Sequence, residues 1–405
     1  MIKIEGGVCA AKGYKAAGIH CGLRKNRDKR DLSLIVSEKT ATAAAVYTTN
    51  LVKGAPITVT KANIADGSAK AIICNSGNAN TCNANGIEIA EQMCELVEKH
   101  TGISAKDVIV ASTGVIGQPL DIKPIAGGMG ELTDSLSADG SLAAAEGIMT
   151  TDTAVKEIAV EFKIGDKTCR IGGIAKGSGM IHPNMATMLV FVTSDVAITK
   201  EALQYALSED VKDSFNMISV DGDTSTNDMC CVMANGMAEN SVIDDINSED
   251  FKIFRKALFE VTSHLCKMIA KDGEGATKLL QVKVVGADSA ATAKTVAKSV
   301  ACSSLLKAAM FGSDANWGRV LCAIGYSGAE LDVQKIDVAF ASNKGEIVVC
   351  KNGAGVVFSE EVAKEILLEN EIDILINLNL GEATATAWGC DLTYDYVRIN
   401  GDYRS

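Results

Sequence analysis

The stretch HPNMATMLVFVTSD, residues 182–195, places a hydroxyl where chemistry is conceivable. Thr187 stands between a crowd of turn formers and the apolar run Met188 to Val192. A threonine hydroxyl is a poor nucleophile unless a base takes its proton. If the bond between Ala186 and Thr187 is cut, the new α-amine lies within reach of that hydroxyl. An α-amine titrates near ~8 and can accept a proton at neutral pH. The residue then carries its own base, a variant of triad logic. Cleavage by an N-to-O acyl shift needs a twisted, accessible peptide bond. Gly177, Gly179 and Pro183 upstream, with small Ala186, suit that requirement. The competing reading is a β-former entering a buried strand.

Other chemistries fit less well. The four histidines, His20, His100, His182 and His264, are dispersed, and no cysteine pair has ligand spacing, so no metal site is expected. Gly172 to Gly179 reads as a glycine-rich loop around Lys176, but Ala175 precedes that lysine and Gly177 follows it, against the phosphate-loop order. No dinucleotide fingerprint and no G-x-S-x-G elbow is present. Asp221, Asp223 and Asp228 in VDGDTSTND lack the final glutamate of a calcium loop and read as turn and loop caps near the core. His182 reads as structural. Taken alone, Lys176 is a solvated loop lysine and Glu274 a helix-end acid.

The elements that would hold these residues alternate between strand and helix. Ala71–Cys74 is a short apolar strand running into the loop Asn75 to Asn80, and Ile89, Met93, Leu96 and Val97 recur at helical spacing after it. Val108–Ala111 is a strand with Ser112-Thr113-Gly114 at its end. Glu157–Phe162 and Thr168–Ile171 pair across a Gly165-Asp166 turn. A long helix over Asp250–Ala270 is opened by Ser248, Leu279–Val285 is a strand, and Ala290–Ala309 is helical. Alternation from Ile372 to Leu380 predicts a half-buried strand.

The totals set outer limits. The 405 residues are 47% apolar and 4% aromatic, with 37 glycines, enough for a large core of small and aliphatic side chains. The formal charge of −12 and the lack of a basic run argue against nucleic acid or an anionic membrane as partner. No signal-peptide core and no spanning apolar stretch is read, and the 13 irregularly spaced cysteines suggest reduced thiols in the cytoplasm.

Several long motifs then occur in one order. They are GGVCAAKGYKAAGIHCGLR near the start, NSGNAN at 75–80, STGVIG at 112–117, IMTTDT at 148–153 and KGSGMIHPNMATMLVFVTSD at the candidate nucleophile. SVDGDTSTND follows at 219–228, then KDGEGATKL at 271–279, FGSDANWGR at 311–319 and the terminal RINGDYRS. Over nearly its full length the chain resembles the ornithine acetyltransferase family, also called glutamate N-acetyltransferases or ArgJ proteins, with no substitution at an expected catalytic position.

That resemblance implies an α/β sandwich of its own type, sheets packed with flanking helices, related to N-terminal-nucleophile aminopeptidases of the DmpA type. It implies self-cleavage into an α chain, 1–186, and a β chain, 187–405, assembled as a heterotetramer of two of each. It further implies ping-pong transfer of acetyl from N-acetylornithine to Thr187 and on to glutamate, without a cofactor. Some members also accept acetyl-CoA as a co-substrate, and the sequence does not decide whether this chain does. By the same resemblance Thr113 and Gly114 form the oxyanion hole, and Thr150, Lys176, Thr187, Glu274, Asn400 and Ser405 bind substrate. Lys176 would suit a substrate carboxylate and Glu274 an amine or amide. Two alternatives stand beside this reading: an N-terminal-nucleophile aminopeptidase of related fold, and an unprocessed amino-acid-binding protein.

Overall fold

The computed structural model describes residues 1–182 and 188–401. These form two compact units, each drawing on several stretches of chain. The first comprises residues 1–177, 188–215 and 224–265, and the second 178–182, 216–223 and 266–401.

The first unit is built on a sheet of nine strands among the described residues. Across it run Ile2–Ile4, Lys156–Ile164, Lys167–Lys176, Leu189–Ser194, Met229–Ala234, Leu32–Tyr47, Ser68–Asn75 and Val108–Ser112, with Tyr14–Ile19 also paired to Leu32–Tyr47. Lys156–Ile164 and Lys167–Lys176 form the expected hairpin, with Ile164 opposite Lys167 across the two-residue turn. Ser68–Asn75 and Val108–Ser112 are parallel, as are Leu189–Ser194 and Met229–Ala234. Such strands are covered on both faces, which is why they read as continuous apolar runs. Ala71, Ile73, Val108 and Val110 pack with Met93 and Val97 of helix Gly86–Thr101 and with Ile125 and Met129 of helix Ile122–Asp134. Ile72, Cys74, Ile109 and Ala111 turn to the opposite face and join Ala144, Ala145 and Ile148 of helix Ser141–Ile148.

The second unit holds a sheet ordered Ala354–Gly355, Gly345–Lys351, Asp337–Ser342, Glu371–Asn377, Leu279–Ala287, Ala383–Cys390 and Ile218–Ser219. The long helix spans Glu249–Lys271 and is capped by Ser248, whose hydroxyl accepts the Phe251 N–H at 3.2 Å. Two expectations need correction. The helix expected over Ala290–Ala309 is two, Ala290–Cys302 and Ser304–Phe311. Ser303 breaks them by taking an extended backbone (ψ 106°) and capping the second through Leu306. The strand expected to reach Leu380 stops at Asn377, where the Asn377 side chain accepts the N–H of Asn379, a residue at φ 51°.

The α/β class is therefore as expected: two sheets with flanking helices. All thirteen cysteines are free thiols, and most are buried, as small core residues would be. No helix among the described residues is long and apolar enough to cross a membrane.

Candidate active site

Lys176 does not lie in a loop. The glycine-rich stretch is strand up to Lys176, the last residue of Lys167–Lys176, in register with Leu189. Gly172 and Gly173 are there for close approach: a Cβ on Gly172 would lie 2.0 Å from the Gly7 carbonyl oxygen. Gly177, at φ 155°, turns the chain out of the sheet and donates its N–H to Asp152 Oδ1 at 2.7 Å. The lysine stem is thereby buried in the first unit, and the side chain is only 9% exposed with its residue.

Asp152, in the IMTTDT motif, organises this corner. Its Oδ2 accepts the Thr150 N–H at 2.9 Å, and its Oδ1 holds Lys156 Nζ at 2.7 Å with neither side chain exposed. Burial opposes the charge of Asp152, but Lys176, Lys156 and the Gly177 N–H outweigh it and hold the carboxyl well below its ordinary range. Two buried lysines thus share one ionised carboxylate. Lys156 takes the direct ion pair. Lys176 is left, among the described residues, with the Thr113 hydroxyl at 3.4 Å. Burial pushes Lys176 below the ordinary lysine range; Asp152 opposes that shift and Lys156 adds to it.

Thr113 and Gly114 follow the strand Val108–Ser112. The Thr113 N–H is taken by the Asn75 carbonyl at 2.9 Å. Asn75 also donates to Ser112 Oγ at 2.7 Å, and its Oδ1 accepts the Asn78 N–H at 3.1 Å. Asn227 ties the turn from the other side, donating to the Ser112 carbonyl at 2.9 Å. Gly114 sits at φ 129°, and a Cβ there would lie 2.8 Å from the Asn78 nitrogen, so no other residue fits. No described residue accepts the Gly114 N–H in the hydrogen bonds found. The turn therefore offers a fixed hydroxyl and a backbone donor beside a buried lysine.

Asp228 lies near the core, as expected, with the Ser225 and Thr48 hydroxyls bonded to its carboxyl. It is 2% exposed, and its Oδ2 is a buried oxygen with no hydrogen-bond partner. Burial pushes its carboxyl well above the ordinary range, against Ser225, Lys176 and Thr48. Asp221 caps a turn: its carboxylate accepts the N–H groups of Met180 and Ile181 at 2.6 and 2.9 Å.

Within the second unit, Glu274 and Asn400 are brought together. Asn400 Nδ2 donates to Glu274 Oε2 at 2.8 Å, and the Glu274 N–H donates to the Ser178 carbonyl at 2.8 Å. Glu274 lies past the end of its helix and is 9% exposed, so it is no solvated helix-end acid. A Cβ on Gly179 would lie 2.3 Å from its carboxylate. His182 Nδ1 lies 3.2 Å from Ser219 Oγ and 3.4 Å from Cys302 Sγ, and burial, with Lys298, pushes the imidazole below its ordinary value.

Of the residues singled out from sequence, Thr113, Gly114, Thr150 and Lys176 gather in the first unit, and Glu274 and Asn400 pair in the second. Ala186, Thr187 and Ser405 lie outside the described residues. Sequence reasoning missed Asp152 and Asn75 as organisers, although both stand inside motifs it quoted. No group of three or more potential metal ligands is found among the described residues.

A β strand ending in a buried lysine, beside a hydroxyl and a backbone N–H that no described residue accepts, defines an α/β protein with a small polar corner. Known proteins sharpen that class. A profile of the ArgJ family matches residues 15–405. The arginine biosynthesis bifunctional protein ArgJ 1 of Clostridium acetobutylicum is 52% identical over 97% of this chain and 96% of its own. ArgJ of Bacillus subtilis is 47% identical over 100% and 98%. The crystal structure of ArgJ from Bacillus halodurans shares 50% identity with a TM-score of 0.50, covering 52% of this chain and 97% of that one. The chain belongs to the ArgJ family.

Proposed function

We propose that this chain is an acetyltransferase of the ornithine acetyltransferase type, acting in arginine biosynthesis and made active by cutting itself between Ala186 and Thr187. In the first reaction Thr187 Oγ attacks the Ala186 carbonyl carbon, the C–N bond breaks, and the amine is freed. Water then hydrolyses the ester, leaving an Ala186 carboxylate and an N-terminal threonine. In the second, Oγ attacks the acetyl carbonyl of N-acetylornithine while its proton passes to the α-amine and on to the departing ornithine nitrogen. The glutamate amine then attacks the acetyl ester, and Thr187 Oγ leaves with the returning proton.

The observation that carries this reading is Lys176, buried and, among the described residues, with the Thr113 hydroxyl as its one hydrogen-bond partner beside the Thr113-Gly114 turn. Lys176 would hold the substrate carboxylate, and Thr113 Oγ1 with the Gly114 N–H would stabilise the oxyanion as it forms. Glu274 and Asn400 keep the substrate-binding roles that the family resemblance gives them, with Thr150 and Ser405. The sheet favours survival of a cut: Leu189–Ser194 is bonded to strands on both sides, so a break before residue 187 leaves both fragments in one sheet. The Bacillus halodurans chain, 97% covered by 52% of this one, is about half as long, as one product of such a cut would be. Cytoplasmic location, a heterotetramer of two α and two β chains, and acetyl-CoA as a second donor belong to the same proposal.

Intact-mass measurement tests it. The purified protein should give two chains, 1–186 and 187–405, and Thr187→Ala should stay uncut and transfer no acetyl. A fully active, uncut wild type overturns the self-processing step. Release of free acetate with no transfer to glutamate would favour the aminopeptidase-like hydrolase.

A further inference from the structure

Positive charge is scarce on this acidic chain, yet it is concentrated at one place. Residues 24–30, RKNRDKR, hold five of its 39 lysines and arginines, more than any other window of that length. Asn26 and Asp28 interrupt the segment, so it is no continuous basic tract. It lies in the connection between strands Tyr14–Ile19 and Leu32–Tyr47, whose facing ends Ile19 and Leu32 are register partners. Asp31, fully buried, fixes this loop. Its Oδ1 accepts the Cys21 N–H at 2.6 Å and its Oδ2 the Arg24 N–H at 2.9 Å. His20 Nδ1 lies 3.3 Å from the same carboxylate and 2.9 Å from the Lys29 carbonyl oxygen. Compact surface loops with closed ends are frequently functional.

A cleft of about 520 Å³ opens in the loop, within the size range of small-molecule sites. It is lined by His20, Cys21, Gly22, Arg24, Lys25 and Arg27, with no carboxylate among them. Arg30 is engaged elsewhere, paired with Glu146 at 2.8 Å. Lys25 and Arg27 are exposed, and no ion pair to either is found among the described residues. Arg24 is anchored: its Nε donates to the Ser76 carbonyl at 2.9 Å, and its Nη2 donates to the Met149 carbonyl. Ser76 follows Asn75 and Met149 precedes Thr150, so the cleft is tied to the corner around Lys176. Leu23 makes a second tie. A Cβ on Gly77 would lie 2.6 Å from Leu23 Cβ, and one on Gly114 2.8 Å from the Gly77 carbonyl carbon. One layer of chain therefore separates this loop from the Thr113-Gly114 turn.

Guanidinium and ammonium groups around one cleft suit the oxygens of phosphate esters. N-acetylornithine and glutamate carry no phosphate and have no use for such a place. Acetyl-CoA, the second donor of the acetyltransferase reading, carries its phosphates at the far end of a long flexible arm from its thioester. We propose that the cleft of His20, Arg24, Lys25 and Arg27 binds the phosphate groups of acetyl-CoA, with the thioester directed to the Thr113-Gly114 turn. This deepens the acetyltransferase reading and rests on it for the identity of the donor. Thr187 Oγ attacks the thioester carbonyl, the C–S bond breaks, and the hydroxyl proton passes through the α-amine to the departing thiolate.

The test compares wild type, the double variant Lys25→Ala/Arg27→Ala, and a control, Lys39→Ala/Lys163→Ala, that removes two exposed lysines elsewhere in the unit. Calorimetric binding is measured with CoA, with pantetheine, which lacks the phosphates, and with inorganic pyrophosphate; glutamate acetylation is measured with each donor. The double variant should bind CoA about 30-fold more weakly than wild type, as expected for losing two charge-assisted contacts at an exposed site. The control should bind it like wild type, and pantetheine should not distinguish the three proteins. The ratio of kcat/KM with acetyl-CoA to kcat/KM with N-acetylornithine should fall in the double variant by a similar factor. Wild type that binds no CoA, a double variant that binds it undiminished, or a control weakened as much overturns the proposal. So does pyrophosphate bound as tightly as CoA, which would make the cleft a site for free phosphate. Transfer from N-acetylornithine but never from acetyl-CoA overturns it as well. Wild type that transfers acetyl from neither donor sinks the acetyltransferase reading instead, while the CoA binding comparison still decides what the cleft holds.

Discussion

Each unit buries a lysine at the end of a sheet, and the two are treated in opposite ways. In the second unit Lys278 Nζ has three acceptors: the carbonyls of Met310 and Leu367, each at 2.6 Å, and Ser313 Oγ at 2.7 Å. An ammonium has three donors, so Lys278 is complete without any ligand. It ties the start of strand Leu279–Ala287 to the ends of helices Ser304–Phe311 and Glu360–Leu367. In the first unit Lys176 is as deeply buried and, among the described residues, has one hydroxyl at 3.4 Å. A buried cation with its full set of acceptors is scaffold, and one with a single long acceptor among the described residues is the one that the proposed function assigns to substrate. Burial alone does not distinguish them; the count of acceptors does.

That contrast can be broken at several points. The largest effect on stability is expected at Asp152, whose loss strands the charge of Lys156 in the core. Asp152→Asn should destabilise the first unit by about 3–5 kcal/mol, read from denaturant unfolding. A change under about 1 kcal/mol would mean that the pair is no anchor. Next comes Lys176→Met, for which kcat/KM should fall by about 100-fold, as expected for losing a charge-assisted contact of nearly 3 kcal/mol. Stability should hold or rise, because a desolvated cation has been removed. Lys278→Met should do the reverse: a stability loss of about 1–3 kcal/mol from three lost charge-assisted hydrogen bonds, with kcat/KM close to wild type. If both lysine variants lost activity and stability together, the distinction between scaffold and site would fail.

The smallest effect concerns a buried acid remote from either lysine. Burial raises Asp210 to about 7, despite hydrogen bonds from Thr262 and Ser214. A carboxyl with a raised folded pKa contributes stability that is full below its unfolded pKa of ~3.9 and is lost as pH climbs toward about 7. Thermal unfolding of wild type should therefore show stability draining away across that window. Asp210→Asn should flatten the profile there, and an unchanged profile would assign the slope to other groups.

Much of the fold was legible in the sequence, for physical reasons that differ by element. The long helix was marked by both its apolar stripe and Ser248, and the hairpin by Gly165-Asp166 between two apolar runs. The break at Ser303 was hidden because Ala290 to Phe311 is rich in helix formers throughout, and only a capping contact interrupts it. The sixteen-residue strand Leu32–Tyr47 was missed, since its alanine-rich run, with Glu38, Lys39 and Thr40 exposed, shows no clean alternation.

The site was legible by motif more than by pattern. Thr113, Gly114 and Lys176 were named from the resemblance, yet nothing local marked Lys176 as buried, because glycines on a strand look like glycines in a loop. Asp152 and Asp228 were invisible for a related reason. A carboxyl's role depends on partners distant in sequence, and only the folded chain shows that one is paired twice over and the other is left with an idle oxygen.

Intact mass after incubation with N-acetylornithine alone tests the central claim most directly. The fragment 187–405 should gain one acetyl group, and added glutamate should remove it. Lys176→Met should acquire the acetyl far more slowly. An uncut wild-type chain that transfers acetyl to glutamate without ever carrying it would contradict both the nucleophile and the site built around Lys176.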